Sequence, residues 1–180
     1  MTWAEIAMLN DEGNEIAAHS RTHYDLTTLT RFEMRGEVQG AYQDLVKRGL
    51  TPKTFVYPYG AVNSKVERLV RTAGFSGARG SYFGLDGACT DKFNLHGIFV
   101  GKTTPAENIE RWIDQANANK RWLVLEVHDV LSVGGDEYSI TPKKLRSIVN
   151  YIRHTGIQVV TLEEGIRLTN SERNNWEWQR

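Results

Sequence analysis

The sequence of 180 residues contains one cysteine and no excess of charge of either sign. The single cysteine, Cys89, excludes an internal disulfide, and no second thiol stands near it to form a thiolate zinc site. We expect Cys89 to be a small buried residue. Lysine plus arginine equals aspartate plus glutamate at 22 each, so no overall field attracts nucleic acid. No apolar run approaches the roughly 20 residues that span a bilayer, so neither nucleic acid nor a membrane is an expected partner.

The first ten residues, Met1–Asn10, lack the basic region and the long apolar core of a secretory signal. Their apolar residues recur at helical spacing instead, which predicts a short amphipathic helix. The sequence therefore contains no signal for export. Its length is that of one domain with a sizeable core. We assign residues 1–170 to this domain and residues 171–180 to a polar tail.

Segments rich in β-branched and aromatic residues alternate with helical segments along the chain. The predicted strands are Asn14–Ala18, Thr54–Tyr57, Phe75–Ala78, Leu95–Val100, Trp122–Val127 and Ile157–Leu162. The main predicted helices are Thr30–Arg48, Ser64–Ala73, one that starts near Pro105, and one that Pro142 opens and His154 ends. This alternation indicates a parallel sheet in an α/β fold, either open or closed into a barrel.

Three residues interrupt these patterns. Gly36 and Gly40 weaken the prediction of the long helix Thr30–Arg48 without reversing it. Glu126 is an acidic residue inside the otherwise apolar strand Trp122–Val127, whose composition is typical of a parallel strand that is covered on both faces.

Polar residues follow three of the predicted strands at the points where these strands end. His19-Ser20-Arg21-Thr22-His23 follows the first strand, Pro58-Tyr59-Gly60 follows the second, and His128-Asp129 follows the fifth. Catalytic groups of parallel α/β proteins lie at the carboxyl ends of strands. Three of the five histidines and a tight turn are therefore expected on one face of the sheet.

His19 and His23 are candidate metal ligands because two imidazoles four residues apart can share one ion. In an extended chain the two rings would lie about 13 Å apart, too far for metal bonds of about 2 Å. The chain must therefore turn after His19, and a helical turn would bring both rings to one side. The alternative is a histidine that ends a strand followed by an unrelated loop histidine.

His128, which Asp129 follows, is a candidate acid or base because imidazole titrates near neutral pH and can donate a proton to a leaving group. The alternative is a histidine that is merely hydrogen-bonded at a strand end. We assign structural roles to His96 and His154; the second lies at a helix C-terminus, where positive charge is favoured.

Taken in order, these segments resemble the polysaccharide deacetylases, the NodB homology domain or carbohydrate esterase family 4. His19–Asp25 together with Leu26 is similar to the H[ST]xxH metal motif and its continuation, and Phe55–Gly60 to the variant of the third motif without arginine. The segments that resemble the family's later parts are Gly74–Arg79, Leu125–Asp129 and Gly156–Leu162. The resemblance covers nearly the whole chain, and several motifs in order are more specific than one alone.

The resemblance implies a distorted (β/α) barrel that holds a divalent metal and removes acetyl groups from N-acetylated sugars. Zinc is the expected metal. It assigns His19 and His23 to the metal. The backbone N–H of Tyr59 is implied as an oxyanion donor and His128 as the acid that protonates the departing amine. The residues implied as substrate-binding are Tyr57, Pro58 and Asp129.

One part of the family pattern is not found before His19: a strand that ends in a Thr-Phe-Asp-Asp-Gly-like motif with the base and the third metal ligand. We therefore expect a barrel that lacks its first strand and a site short of two carboxylates. Thr161-Leu162-Glu163-Glu164-Gly165 resembles the motif, but its position matches a helix start. Asp25 and Asp129 are the other carboxylates that could substitute. An arginine expected in the fourth motif is replaced by Gly97.

Three functions follow from this pattern. The first is an N-deacetylase acting on N-acetylglucosamine-type polymers, with activity impaired by the absent carboxylates or completed by another chain. The second is a non-catalytic, carbohydrate-binding or vestigial domain, and the third is an amide hydrolase of small molecules on the same fold. A barrel without one strand would expose two edges, so we also expect self-association of the chain or marginal stability. Members of the family usually act outside the cytoplasm.

Overall fold

The computed structural model describes the backbone of residues 1–177 and the side chains of residues 1–170. The chain divides into two compact units. Unit 1 comprises Met1–Ser81, Ala88–Leu95 and Val160–Arg180, and unit 2 comprises Tyr82–Gly87 and His96–Val159. The assignment of residues 1–170 to one domain stays a prediction.

Six α-helices form within the described residues: α1 Trp3–Asp11, α2 Arg31–Val46, α3 Ser64–Thr72, α4 Ala106–Ala118, α5 Pro142–Thr155 and α6 Leu162–Glu177. Side-chain oxygens accept hydrogen bonds from the first turns of four of them and so define where these helices begin. These N-cap residues are Thr2, Thr30, Asn63 and Thr141. The first five helices confirm the helices predicted from apolar periodicity.

The described residues form four strands: β1 Thr54–Val56, β2 Gly77–Arg79, β3 Ile98–Phe99 and β4 Leu125–Glu126. In unit 1, β1 and β2 pair in parallel, with Phe55 opposite Ala78. In unit 2, β3 and β4 pair in parallel, with Ile98 opposite Leu125. The prediction of an α/β fold with parallel pairing is confirmed, and each sheet in the described residues is two-stranded rather than closed.

Two of the six predicted strands do not form in the described residues, and the other four are shorter than the predicted ranges or shifted from them. Within Asn14–Ala18 only Ala18 pairs, through a single bridge to Phe55. Residues 157–161 contain no strand, and α6 already begins at Leu162. The β-branched residues of this segment suggested burial, yet Val159 is 74% exposed. β-propensity marks residues that suit a packed sheet surface, and a strand forms only where a second strand offers backbone partners.

The core of unit 1 holds β1 between the helices of that unit. Phe55 and Tyr57 point into it and are 0% and 1% exposed. Val66 and Val70 of α3, four residues apart on one helix face, are both fully buried there. The other members of this core include Ala18, Leu26, Met34, Val38, Ala41, Phe75, Ala78 and Phe93. The burial of Phe55 and Tyr57 in this core holds β1 and the start of the turn after it in place.

The core of unit 2 is built on α4 and α5. Ile109 and Ile113 of α4 and Ile148 of α5 are buried in it, together with Val100 and Ile140. Partly buried residues of β4 and its neighbourhood pack against this cluster: Leu123, Leu125 and Val127. The apolar stripe predicted on the fourth helix is therefore confirmed as a core-facing stripe.

Three further predictions concern exposure and the chain end. Cys89 is exposed rather than buried, because it lies in the loop between β2 and β3 and not in a regular element. No helix among the described residues is long and apolar enough to cross a membrane. Helix α6 runs through Glu177; residues 178–180 and the side chains of residues 171–180 lie outside the described part, so the polar tail stays a prediction.

Candidate functional site

The chain reverses direction directly after His19, as the spacing of the two histidines required. Ser20 and His23 both have a φ of 61°, a left-handed conformation that few non-glycine residues adopt. The backbone N–H of His23 donates to the hydroxyl of Ser20 at 2.9 Å. The ring centroids of His19 and His23 lie 4.7 Å apart with the rings at 74°. The turn is thus a tight bend rather than the helical turn that was expected, and it still brings the imidazoles together.

One carboxylate of α2 holds this bend. Glu37 Oε2 accepts hydrogen bonds from the backbone N–H groups of Arg21 and Thr22, both at 2.9 Å. Glu37 Oε1 accepts a third bond from the hydroxyl of Thr22 at 2.7 Å. These donors belong to consecutive residues of the bend, so a single side chain satisfies the backbone groups that the reversal leaves without strand partners.

The hydrogen bonds also set the ionisation of Glu37. Partial burial of the carboxyl group by itself would raise its pKa, because burial penalises the charged form. The bonds from the side chain and backbone of Thr22, from the backbone of Arg21 and from Ser20 outweigh this effect and lower the pKa of Glu37 below its ordinary value of 4.5. The bend is therefore held by an ionised carboxylate at neutral pH.

A second contact ties the bend to α2. The guanidinium of Arg21 donates to both carboxylate oxygens of Asp44, at 2.7 and 2.9 Å. It passes directly over Gly40, where a Cβ would lie 2.6 Å from Arg21 Nε. The glycine that weakened the helix prediction thus leaves room for the close passage of Arg21.

Strand β1 orients His19. The Nδ1 atom of His19 lies 2.8 Å from the carbonyl oxygen of Val56. A carbonyl oxygen can only accept, so Nδ1 carries a hydrogen. A metal-ligating histidine is commonly held in this way through its other nitrogen. The contact with Val56 therefore fixes the orientation of the His19 ring.

The two imidazoles lie close together but do not by themselves complete a metal site. Among the described residues, no group of three or more histidine, cysteine, aspartate or glutamate side chains could hold a metal. The carboxylate of Asp25, one of the substitutes considered, accepts from the backbone N–H and the hydroxyl of Thr27 and so caps the short 3-10 helix Leu26–Thr28.

Glu163 and Glu164 are not substitutes either. Both lie in the first turn of α6, where negative charge is favourable, and Glu164 pairs with Arg167 at 2.5 Å. The interpretation of this segment as a helix start is confirmed.

The turn after β1 presents a backbone donor. Tyr59 adopts φ 58° and ψ 11° inside the short 3-10 helix Pro58–Gly60, and its side chain packs edge-on against His23 with centroids 4.7 Å apart. Within the described residues, the backbone N–H of Tyr59 has no hydrogen-bond acceptor. A strained residue with an unused N–H beside two imidazoles is the kind of arrangement that functional sites contain.

Tyr57 precedes this turn and Pro58 is its first residue. Both are buried, and the Tyr57 hydroxyl donates to the carbonyl of Phe93 at 2.8 Å. Burial, followed by the nearby charge of Glu67, raises the pKa of Tyr57 above its ordinary value, so the phenol stays protonated. Both side chains are buried in the described structure, and their assignment to substrate binding stays a prediction.

His128 and Asp129 belong to unit 2 and follow β4. His128 is 47% exposed, with its Nε2 atom 3.8 Å from a carboxylate oxygen of Glu126. Asp129 is exposed, and its backbone carbonyl accepts from the N–H of Ile140 at 2.8 Å. The site residues predicted from sequence thus form two groups, the pair of histidines with Tyr59 in unit 1 and the His-Asp dipeptide in unit 2.

Sequence reasoning missed two carboxylates. Glu37 is one of several acidic residues on α2, and no local pattern distinguishes it. Asp86 in unit 2 is only 1% exposed and accepts from His96 Nδ1 at 2.7 Å. The signal available for Asp86 was its place in a glycine-rich loop, where an acidic residue commonly binds backbone groups. The structural role assigned to His96 agrees with this contact to the buried Asp86.

Residues 1–78 match the family model described as polysaccharide deacetylase. This match covers the bend with His19 and His23 and the turn at Tyr59. Residues 1–78, which are less than half of the chain, are therefore similar to the polysaccharide deacetylase family. No protein of curated function matches the sequence.

The fold of the chain is similar to solved structures. A Mycobacterium smegmatis protein assigned to the polysaccharide deacetylases has a TM-score of 0.65 at 15% identity, over 95% of this chain and 68% of that one. The Xyl-CE4 domain of a xylanase from the hindgut metagenome of Trinervitermes trinervoides has a TM-score of 0.59 at 18% identity, over 92% and 70%. The Streptococcus pyogenes deacetylase PplD, in complex with acetate, has a TM-score of 0.51 at 16% identity. The match covers 53% of this chain and 43% of PplD, so it spans less than half of that protein's length.

Replacing each of the two helical glycines of α2 tests the passage of Arg21. Gly36→Ala has open space around the added Cβ and should raise the free energy of unfolding by about 0.5–1 kcal/mol through helix propensity. Gly40→Ala gains the same propensity but displaces Arg21 from Asp44. Its free energy of unfolding in urea should lie at least about 1 kcal/mol below that of Gly36→Ala. Equal stabilisation by both substitutions would show that Arg21 moves aside without cost.

Glu37→Gln tests the carboxylate that holds the bend. At pH 7 it should lower the free energy of unfolding by about 1 kcal/mol or more, because the amide nitrogen cannot accept the bonds that a carboxylate oxygen accepts. The folded-state pKa of Glu37 is lowered, so its stabilising contribution is complete above the ordinary value of 4.5 and is lost as the pH falls through the folded pKa. The difference between the two proteins should therefore shrink as the pH falls below about 4.5.

The control for this pH dependence is Glu12→Gln, which removes an exposed carboxylate of the same unit. Urea unfolding of all three proteins at pH 7 and at pH 3.5 or so gives the comparison. A Glu37→Gln deficit that stays constant between the two pH values would contradict the role of the charge.

Proposed function

We propose that this chain is a metal-dependent hydrolase that removes N-acetyl groups from N-acetylated carbohydrate, of the N-acetylglucosamine-polymer type. The observation that carries the proposal is the pair of imidazoles at 4.7 Å, one of them oriented by the Val56 carbonyl, beside the open N–H of Tyr59. Carbon–nitrogen bond hydrolysis needs a polarised carbonyl, a site for the negative oxygen and a proton for the leaving amine. The chain offers candidates for each.

The relatives support an acetyl group as the part of the substrate that reacts. The Streptococcus pyogenes protein is a deacetylase whose structure contains acetate, the acid that deacetylation releases. The Xyl-CE4 domain comes from a multidomain xylanase, which is consistent with carbohydrate as the carrier of the acyl group. The bend and the Tyr59 turn both lie inside the residues that match the family model.

His19 and His23 are the residues that would hold the divalent ion, with zinc as the expected metal. Such an ion supplies polarisation of the acetyl carbonyl and lowers the pKa of bound water. Protein carboxylates for the remaining positions were not found among the described residues, so a site on this pair depends on water, substrate or a further chain and should bind the ion more weakly than a three-ligand site.

The backbone N–H of Tyr59 would stabilise the oxyanion. As water adds to the acetyl carbon, negative charge develops on the carbonyl oxygen, and a donor already aimed at that position lowers the barrier. Tyr57 and Pro58 contribute by holding the turn from below, because their burial fixes the left-handed Tyr59 in place. His128 would donate a proton to the nitrogen as the carbon–nitrogen bond breaks, and the exposed Asp129 would hydrogen-bond sugar hydroxyl groups.

Two structural assignments belong to the same proposal. One is a distorted (β/α) barrel of the polysaccharide deacetylase type, which the similarity in fold to the Mycobacterium smegmatis protein supports. The other is self-association of the chain, which would cover sheet edges. Light scattering at several protein concentrations measures the second directly.

A non-catalytic, carbohydrate-binding or vestigial domain is the second candidate. The observation that favours it is the incomplete ligand set around His19 and His23 among the described residues. This candidate predicts binding of N-acetylated sugars without release of acetate. The two candidates therefore bind the same sugars and differ in whether acetate is released.

Acetate release from N-acetylglucosamine oligomers with added zinc tests the proposal. His23→Asn removes the imidazole but keeps a residue type that tolerates the φ of 61°. We expect release by the unaltered chain and a loss of about a hundredfold or more in the variant, since metal polarisation contributes several kcal/mol to such reactions.

The matched control is His154→Ala, which removes an exposed imidazole from the last turn of α5 and should leave release unchanged. Sugar binding without acetate release by the unaltered chain would overturn the catalytic proposal in favour of the second candidate. Equal release by the His23→Asn variant would show that the pair of imidazoles is not the reacting site.

A further inference from the structure

Strand β4 brings an unexpected carboxylate to His128. Residues two apart along an extended chain share a face, and Glu126 Oε1 lies 3.8 Å from His128 Nε2. The Glu126 side chain is 12% exposed and that of His128 is 47% exposed. Glu126 is the one acidic residue in the apolar stretch Trp122–Val127, and His128 is one of the groups it lies beside.

Two aromatic side chains enclose the ring of His128. The centroid of His128 lies 5.6 Å from that of Phe99 and 5.5 Å from that of Tyr138, and the latter two rings lie 5.5 Å from each other. Phe99 in turn packs against Gly101, where a Cβ would lie 2.6 Å from Phe99 Cζ. The rings of Phe99 and Tyr138 therefore limit the orientations that the imidazole of His128 can adopt.

The backbone after β4 is also fixed. The N–H of Ile140 donates to the carbonyl of Asp129 at 2.8 Å, and the N–H of Leu131 donates to the carbonyl of Ile140 at 2.9 Å. Ile140 is buried in the core of unit 2, so these bonds tie the segment that follows His128 to a rigid part of the unit. The histidine thus has a fixed backbone, a restricted ring and one neighbouring carboxylate.

We propose that Glu126 is a positioning residue for His128 and holds its imidazole in the orientation from which it protonates the leaving amine. The inference rests on the proposed function, in which His128 is that acid. At 3.8 Å the contact is too long for a direct hydrogen bond and acts through charge. The attraction is strongest when the imidazole is protonated, which is the form that donates.

Water adds to the acetyl carbon and gives up a proton to solvent, while the imidazolium of His128 transfers one proton to the sugar nitrogen as the carbon–nitrogen bond breaks. The electron pair of that bond stays on the nitrogen, and His128 is left neutral. Glu126 remains an anion throughout and never contacts the substrate.

A comparison of two substrates separates positioning from general damage. Glu126→Gln keeps the side-chain size and removes the charge. We expect about a tenfold fall in kcat for an N-acetylated sugar, whose amine must be protonated, with KM changed less than about twofold. Acetate release from 4-nitrophenyl acetate, whose leaving group needs no proton, should stay unchanged. An equal fall on both substrates, or none on the amide, would overturn the proposal.

Two variants serve as controls. Glu137→Gln removes the same charge from an exposed side chain of the same unit and should leave both reactions unchanged. Glu126→Asp keeps the carboxylate and should restore part of the lost kcat, whereas a residue needed only for packing would be poorly replaced by the shorter side chain.

A second readout does not need activity. The ring 15N chemical shifts of His128 report which nitrogen carries a proton and what lies beside it. We expect them to change in Glu126→Gln and to stay as in the unaltered chain in Glu137→Gln. Unchanged shifts in Glu126→Gln would refute the contact. If the shifts change while the unaltered chain releases no acetate, the contact stands and the proposed function fails.

Discussion

The candidate site depends on one carboxylate, that of Glu37, and its three hydrogen bonds to the bend after His19. An extended segment would separate His19 and His23 by about 13 Å, whereas the bend brings their ring centroids to 4.7 Å. A left-handed Ser20 and a left-handed His23 are unfavourable in isolation. The bonds to Glu37 compensate for this conformation, and Arg21 adds a second tie to the same helix.

Strand β1 supplies the other half of the arrangement. Its last carbonyl, that of Val56, fixes the ring of His19, and the chain then turns at once through Pro58 and Tyr59. The His19 ring and the open N–H of Tyr59 are therefore both set by the same strand end. The strand keeps this position because Phe55 and Tyr57 are buried in the core of unit 1, which links the stability of that core to the geometry of the site.

The sequence predicted the parts of this arrangement that follow from periodicity and distance. Helices such as α3 were visible from apolar spacing, and the bend was required because extended histidines could not meet. The holding groups were not predictable, because Glu37 lies 14 residues or more from the bend it holds and nothing local marks it. Gly40 weakened the prediction of helix α2, and the close passage of Arg21 over it is visible only in the structure. The last predicted strand failed because β-branched residues report suitability for a sheet and not the presence of a partner.

The central claim is that the bend makes His19 and His23 a pair of metal ligands. Calorimetric titration of the purified chain with zinc, beside the His23→Asn variant, tests it most directly. The account predicts about one bound equivalent and an affinity at least about tenfold weaker in the variant, since loss of a ligand or its support commonly costs that much. No binding by the unaltered chain even in excess zinc, or equal binding by the variant, would contradict it.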